Sequence, residues 1–180
     1  MGSTVVLGIC GGIAAYKCAD LVRLLVKEGH AVHVICTKEA EQFVTPLTLQ
    51  TLSGNPVHRD LFDLTQEQQI SHIALADRAS CTLVAPATAN ILAKAAHGFC
   101  DDLLTTVICA TTAPVLFAPS MNVHMWENKA TQANVARLKE LGHRIIPPVV
   151  GELACGYEGM GRLPEPAQLL ETIRSLLKKS

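Results

Sequence analysis

Two hydrophobic rhythms alternate along this chain. Val5-Val6-Leu7-Gly8-Ile9, Val32-His33-Val34-Ile35-Cys36, Thr82-Leu83-Val84-Ala85-Pro86, Val115-Leu116-Phe117-Ala118 and Arg144-Ile145-Ile146 are short, nearly continuous apolar runs. Such runs suit parallel strands covered on both faces, whereas a strand with one wet face alternates. Between them the apolar residues recur at helical spacing. After Gly11-Gly12, the residues Ala14, Ala15, Cys18, Leu21, Val22 and Leu25 share one face, while Lys17, Asp20, Arg23 and Lys27 share the other, and Gly29 ends the helix. Thr37 is placed to cap the element after the second strand, and Glu41 to Leu52 gives mixed helical signals around Pro46. Ser53 to Gln69 is polar and irregular.

The second half repeats the alternation. Ile73, Leu75 and Ala79 lead into the third strand, and a helix with Ile91, Leu92 and Ala95 follows Ala87-Thr88-Ala89-Asn90. Further helices are predicted over Leu103 to Ala110, Asn128 to Leu141 (closed by Gly142) and Pro166 to Leu177. Pro147-Pro148 stops the fifth strand. Parallel strands need crossover connections, so five strands with interleaved helices predict an α/β fold with a parallel sheet. At 180 residues the simplest organisation is one domain spanning 1–180.

Composition narrows the partners. Hydrophobic residues make up 49% and aromatics only 4%, which makes the core aliphatic. A net charge of -1 without a basic tract argues against nucleic acid or an anionic membrane surface. No apolar run reaches the roughly 18 residues of a membrane span, and Met1-Gly2-Ser3-Thr4 lacks the basic start of a signal peptide. Seven widely spaced cysteines, with Cys36, Cys81 and Cys109 expected in core strands, fit reduced thiols in a cytoplasmic protein. No Cys-x-x-Cys or His-x-x-x-His pair supports a structural zinc.

Candidate chemistry gathers at strand ends, where open α/β sheets bind ligands. Cys10-Gly11-Gly12-Ile13 joins a strand to a helix and could hold a phosphate on free backbone N–H groups, although the full Gly-x-Gly-x-x-Gly spacing is absent. Taken alone, a glycine pair there is most simply a turn. The same holds for Ala87-Thr88-Ala89-Asn90, where capping of the helix by the Thr88 hydroxyl is the default reading. Two such turns at successive strands nonetheless point to one edge of the sheet and favour an anionic cofactor. Asn122 falls just past the buried strand at Val115. Cys155, among Gly156, Gly159 and Gly161, is a loop thiol unlike the others. Arg162 could be a solvated charge or could pair with a carboxylate or phosphate. His72, between a polar loop and an apolar segment, carries no pattern of its own.

These segments together resemble the homo-oligomeric flavin-containing cysteine decarboxylases. Gly11-Gly12-Ile13-Ala14-Ala15-Tyr16-Lys17 is similar to the family's N-terminal turn, and Thr45-Pro46-Leu47-Thr48-Leu49-Gln50 also fits. His72-Ile73 with Leu75 resembles the active-site histidine segment, and Pro86-Ala87-Thr88-Ala89-Asn90 the flavin-binding strand end. Pro119 to Trp126 resembles the Pro-x-Met-Asn-x-x-Met-Trp motif, and Leu153-Ala154-Cys155-Gly156 the substrate-clamp loop. Departures occur at Tyr157 (usually Asp), Cys10 (commonly Ser), Ser120 (usually Ala) and Ser80 (often Asp).

The resemblance implies a flavodoxin-like (Rossmann-like) three-layer sandwich that binds FMN and assembles as homotrimers, alone or as four trimers in a dodecameric shell. It assigns FMN to Gly11, Gly12, Ile13, Thr37, Thr88, Ala89, Asn90, Ile91 and Ser120. It assigns a small-molecule substrate with a C-terminal cysteine to Asn122, Met121, Ala154, Gly156 and Arg162. His72 would be the base and Cys155 the donor of a final proton. The implied reaction is decarboxylation of 4'-phosphopantothenoylcysteine in coenzyme A biosynthesis. The alternatives are a peptidyl C-terminal cysteine decarboxylase of lantibiotic-type biosynthesis, whose clamp typically lacks the thiol, and third a regulatory flavin-binding protein. Relatives with a fused synthetase domain make the chain either a standalone enzyme or one domain of a larger one.

Overall fold

Nearly every fully buried side chain falls into one of two aliphatic clusters, one on each face of a central sheet. The computed structural model describes residues 2–62, 72–152, 156 and 158–178. The strands are β1 (Thr4–Ile9), β2 (Ala31–Cys36), β3 (Val57–His58), β4 (Cys81–Ala87), β5 (Val115–Pro119) and β6 (Arg144–Ile145), in the order β3-β2-β1-β4-β5-β6. All five pairings between neighbours are parallel. Without the two-residue edge strand β3, the five sequence-predicted strands run 2-1-3-4-5, the flavodoxin order.

Alternate residues of each strand feed opposite clusters. Val5, Leu7 and Ile9 of β1 pack with α1 (Lys17–Lys27), α2 (Pro46–Ser53) and α8 (Pro166–Leu177). Val6 joins the other side, with α3 (His72–Arg78), α4 (Ala89–Ala96), α5 (Leu103–Ala110) and α7 (Lys129–Glu140). Each fully buried Leu, Ile or Val contributes about 1.5–3 kcal/mol by leaving water. Gly8 lets α5 pack close, because a Cβ there would lie 2.4 Å from Leu104 Cδ1 and that side chain would have to move.

The helix starts arise from short polar side chains. Thr45 Oγ1 accepts the Thr48 N–H at 3.3 Å, with Pro46 opening α2. Asp102 and Thr105 cap α5 reciprocally. Asn128 Oδ1 accepts the Ala130 N–H at 2.9 Å ahead of α7.

Four expectations need correction. The segment after Ser53 contributes β3 to the sheet edge, paired to Val34 and Ile35. The glycine-punctuated stretch is flanked by an antiparallel pair, β7 (Val149–Glu152) and β8 (Glu158–Arg162). Cys109 lies on α5 and is exposed, not in a core strand. Lys17, placed on the polar helix face, is only 8% exposed and reaches Glu165 Oε1 at 2.9 Å. Its aliphatic stem is buried while its ammonium finds a carboxylate at the start of α8. No helix among the described residues is long and apolar enough to cross a membrane.

Candidate functional site

The sheet's connections diverge between β1 and β4, and the turns leaving these two strands face each other across that gap. After β1 the chain turns within three residues, the Gly12 N–H donating to Cys10 O at 3.0 Å. Gly11 must be glycine, since a Cβ would sit 2.3 Å from Glu39 Cβ in the loop after β2. That loop is drawn in by Thr37, whose N–H donates to Ile9 O at 3.0 Å and whose Oγ1 accepts the Ala40 N–H at 3.3 Å. After β4, Thr88 caps α4 through its Oγ1, which accepts the Ile91 N–H at 3.3 Å.

Two clefts open here and meet at Gly11 and Thr88. The larger, about 490 Å³, is walled by Thr37, Asn90 and Ile91 together with Lys38, Arg59, Lys94, Asp101 and Asp102. The smaller, about 280 Å³, is walled by Gly12, Ile13, Ala89, Ser120, Met121, Asn122, Met125 and Gly161. Every residue assigned to cofactor binding from the sequence therefore lines one cleft or the other.

The substrate assignments divide. Asn122 precedes α6 (Val123–Glu127) and caps it, its Oδ1 accepting the His124 N–H at 2.8 Å. The neighbouring Met121 N–H donates to Gly161 O at 3.0 Å, which docks β8 beside this loop. Gly159 also packs there: a Cβ on it would be 2.9 Å from Val123 Cγ2. Arg162 lines neither cleft; its Nη2 donates to Glu165 Oε1 at 2.8 Å, the same oxygen that Lys17 reaches. Gly156 has φ +79, a left-handed conformation that favours glycine. Ala154 and Cys155 lie outside the described residues, as does Tyr157.

His72 is the first residue of α3. A helix that feeds a parallel strand starts at the strands' carboxyl edge, so His72 shares the edge with both clefts. It is not among the residues that line them.

The charged wall of the larger cleft was not foreseen. Lys94 Nζ lies 2.9 Å from both Asp101 and Asp102, and those carboxylates hold its ammonium above the usual lysine range. Burial pushes the Asp102 carboxyl up, but the Thr105 N–H, the Lys94 ammonium and the Thr105 hydroxyl outweigh it and hold it low. Arg59 grips Glu41 with two bonds, Nε to Oε1 at 2.5 Å and Nη2 to Oε2 at 2.8 Å. Lys38 makes no ion pair among the described residues. Burial pushes the Cys10 thiol up to about 12, so the sulfur at the cleft floor stays neutral. The Asp-x-x-Thr spacing of the α5 cap was the one sequence signal for this wall.

Residues 1–178 match the Flavoprotein family. The chain belongs to that family. Among its relatives, the chain is 51% identical over 169 residues to the coenzyme A biosynthesis bifunctional protein CoaBC of Vibrio vulnificus (strain YJ016), covering 94% of this chain and 42% of that protein. The chain thus spans less than half the length of this bifunctional relative. It is 45% identical over 179 residues to the probable phosphopantothenoylcysteine decarboxylase of Streptococcus mutans serotype c (strain ATCC 700610 / UA159), covering 98% and 100% of the two chains. Two solved Flavoprotein-like folds superpose closely. A PPC decarboxylase mutant complexed with pantothenoylaminoethenethiol gives a TM-score of 0.86 at 32% identity, covering 99% and 100%. The FMN binding protein AtHal3 gives 0.85 at 34%, covering 100% and 99%.

Proposed function

We propose that this chain is a single flavoprotein decarboxylase domain, residues 1–180, that converts 4'-phosphopantothenoylcysteine to 4'-phosphopantetheine in coenzyme A biosynthesis with FMN as cofactor. The observation that carries this is the meeting of the two clefts at Gly11 and Thr88, with Asn122 in the wall of one. Full-length similarity to a probable phosphopantothenoylcysteine decarboxylase supports the substrate.

The residues present fit a flavin mononucleotide. Ile13, Met121 and Met125 offer apolar contact beside Thr88, Ser120 and Asn122, as a flat ring with polar edges needs. The N-terminus of α4 and the Lys38 ammonium suit a phosphate. At Gly12 a Cβ would meet only Pro86 Cγ, at 3.9 Å, which leaves room for a ligand to approach the backbone. Bound flavin would supply the two-electron acceptor and donor.

The chain's own residues do the rest. Asn122, whose Oδ1 accepts the His124 N–H in the wall of the smaller cleft, would hold the substrate carboxylate. His72 takes a proton as the substrate's thiol-bearing carbon is oxidised to a thioaldehyde. Carbon dioxide then leaves, its electron pair delocalising onto sulfur as an enethiolate. Cys155 supplies the proton when that product is reduced to the saturated thiol. His72 stands at the right edge but outside both clefts of its own subunit, which favours a homotrimer or dodecamer in which a second copy completes the site. The setting is the cytoplasm.

Purified protein should bind FMN and release carbon dioxide from 4'-phosphopantothenoylcysteine. His72→Asn should bind FMN equally well and lose turnover by orders of magnitude, because the base acts on the substrate. Release from a peptide ending in cysteine, and not from 4'-phosphopantothenoylcysteine, would instead establish the peptidyl decarboxylase reading.

A further inference from the structure

Six of the chain's cysteines lie among the described residues, and they divide sharply. Cys10, Cys18, Cys36 and Cys81 are buried. Burial pushes the Cys36 thiol to about 12 and the Cys81 thiol to about 11, and Cys18 also goes up while its Sγ donates to Ala85 O at 3.0 Å. Buried in this way, they are closed to a disulfide arriving from solvent. Cys100 and Cys109 are the two exposed ones.

These two are neighbours. Cys100 sits just before the α5 cap, its Sγ 3.7 Å from Gly98 O and 3.9 Å from Thr105 O. In an α-helix the Thr105 carbonyl accepts the N–H four residues on, that of Cys109. The Cys100 Sγ and the Cys109 backbone N–H therefore meet at the carbonyl of one buried residue, which sets Cys109 one helical turn beyond the contact of Cys100. Burial raises the Cys100 thiol, and a hydrogen bond with the Cys109 thiol raises it further. The approach is held by the fold. Thr106 Oγ1 donates to Cys100 O at 3.4 Å, and Lys94 clasps the adjacent Asp101 and Asp102. Little conformational entropy remains to be lost in bringing the sulfurs together.

We propose that Cys100 and Cys109 form a reversible disulfide site, oxidised by low-molecular-weight disulfides of the glutathione type. The thiolate of one cysteine attacks the small disulfide, forming a mixed disulfide and expelling one small thiolate. The second cysteine, after losing its proton, attacks the protein-bound sulfur and expels the other. The balance is two protein thiols plus one small disulfide giving one protein disulfide plus two small thiols. The pair lies at either end of the segment whose Asp101, Asp102 and Leu103 line the larger cleft, so oxidation would tie down the back of that wall.

The test reads mass and does not depend on the enzymatic reading. The tryptic peptide from Ala95 to Lys129 contains Cys100 and Cys109 and no other cysteine. After incubation of the whole protein with excess oxidised glutathione, this peptide should be two hydrogens lighter and return to its original mass with dithiothreitol. Cys109→Ser and Cys100→Ser, both at exposed positions, should instead retain one glutathione on the remaining cysteine. The proposal is overturned if the wild-type peptide stays unmodified, keeps glutathione on both cysteines, or is found cross-linked to the peptide that carries Cys155.

Discussion

Asn122 combines a structural and a binding role that one substitution separates. Aspartate caps a helix as well as asparagine does, so Asn122→Asp should keep the bond to the His124 N–H and leave the unfolding midpoint unchanged. It also sets a carboxylate against the substrate's own, and like charges at close range repel strongly in a desolvated site. Substrate affinity should fall roughly tenfold or more, each tenfold being about 1.4 kcal/mol. Calorimetric titration of the variant checks this; unchanged affinity would remove Asn122 from substrate recognition. Asn122 and Thr88 were legible in the sequence as cap positions because each is a short polar residue within three residues of the end of an apolar strand. Pairing with a carboxylate was among the uses open to Arg162, and its partner Glu165 is only three residues away. The role of Lys17 was hidden, because its contact with Glu165 spans 148 positions and no local pattern reports a contact of that separation.

At the scale of elements, the turn between β1 and α1 makes opposite demands on its two glycines. Gly11→Ala places a Cβ 2.3 Å from Glu39 Cβ and 2.9 Å from the Glu39 carbonyl carbon, so backbone must move. Overpacking of this kind costs about 1–3 kcal/mol, and denaturant unfolding should show that loss. Gly12 is extended, with φ -153, and a Cβ would meet only Pro86 Cγ at 3.9 Å. Gly12→Ala should therefore keep its stability and weaken FMN binding, measured by fluorescence titration. Equal stability losses in the two variants would contradict this division. The turn was readable because a glycine pair between an apolar run and a helical repeat has few other uses. The pairing of β7 with β8 was hidden, because Gly151, Gly159 and Gly161 give it a composition depleted in strands. β3 was hidden by its length of two residues.

For the molecule as a whole, acid sensitivity should come from half-buried imidazoles. Burial, and secondarily the Arg78 charge, holds His33 below the ordinary histidine value, and burial does the same to His143, whose ring meets Phe117 edge-on at 5.7 Å. In the unfolded chain both titrate near 6.5. Below that pH the unfolded state binds more protons, so their contribution is complete above about pH 6.5 and is lost as the pH falls toward the folded values. The urea midpoint should drop between about pH 7.5 and 5.5, and the double variant His33→Asn, His143→Asn should flatten that slope. A slope of the same size in the double variant would assign the acid sensitivity elsewhere. The five-strand parallel architecture was legible because every strand buried on both faces needs an uninterrupted apolar run. The charged cleft wall was not, since Arg59 and Lys94 are drawn together only by the completed sheet.

The most direct measurement is the mass of the product formed from 4'-phosphopantothenoylcysteine by the FMN-loaded protein. The predicted product is the substrate less one carbon dioxide, the saturated thiol. Cys155→Ser should stop two hydrogens short of it, because a hydroxyl is a far weaker acid than a thiol, whose unperturbed pKa is about 8.5. Unchanged substrate, or a wild-type product that also stops two hydrogens short, would contradict the proposed reaction.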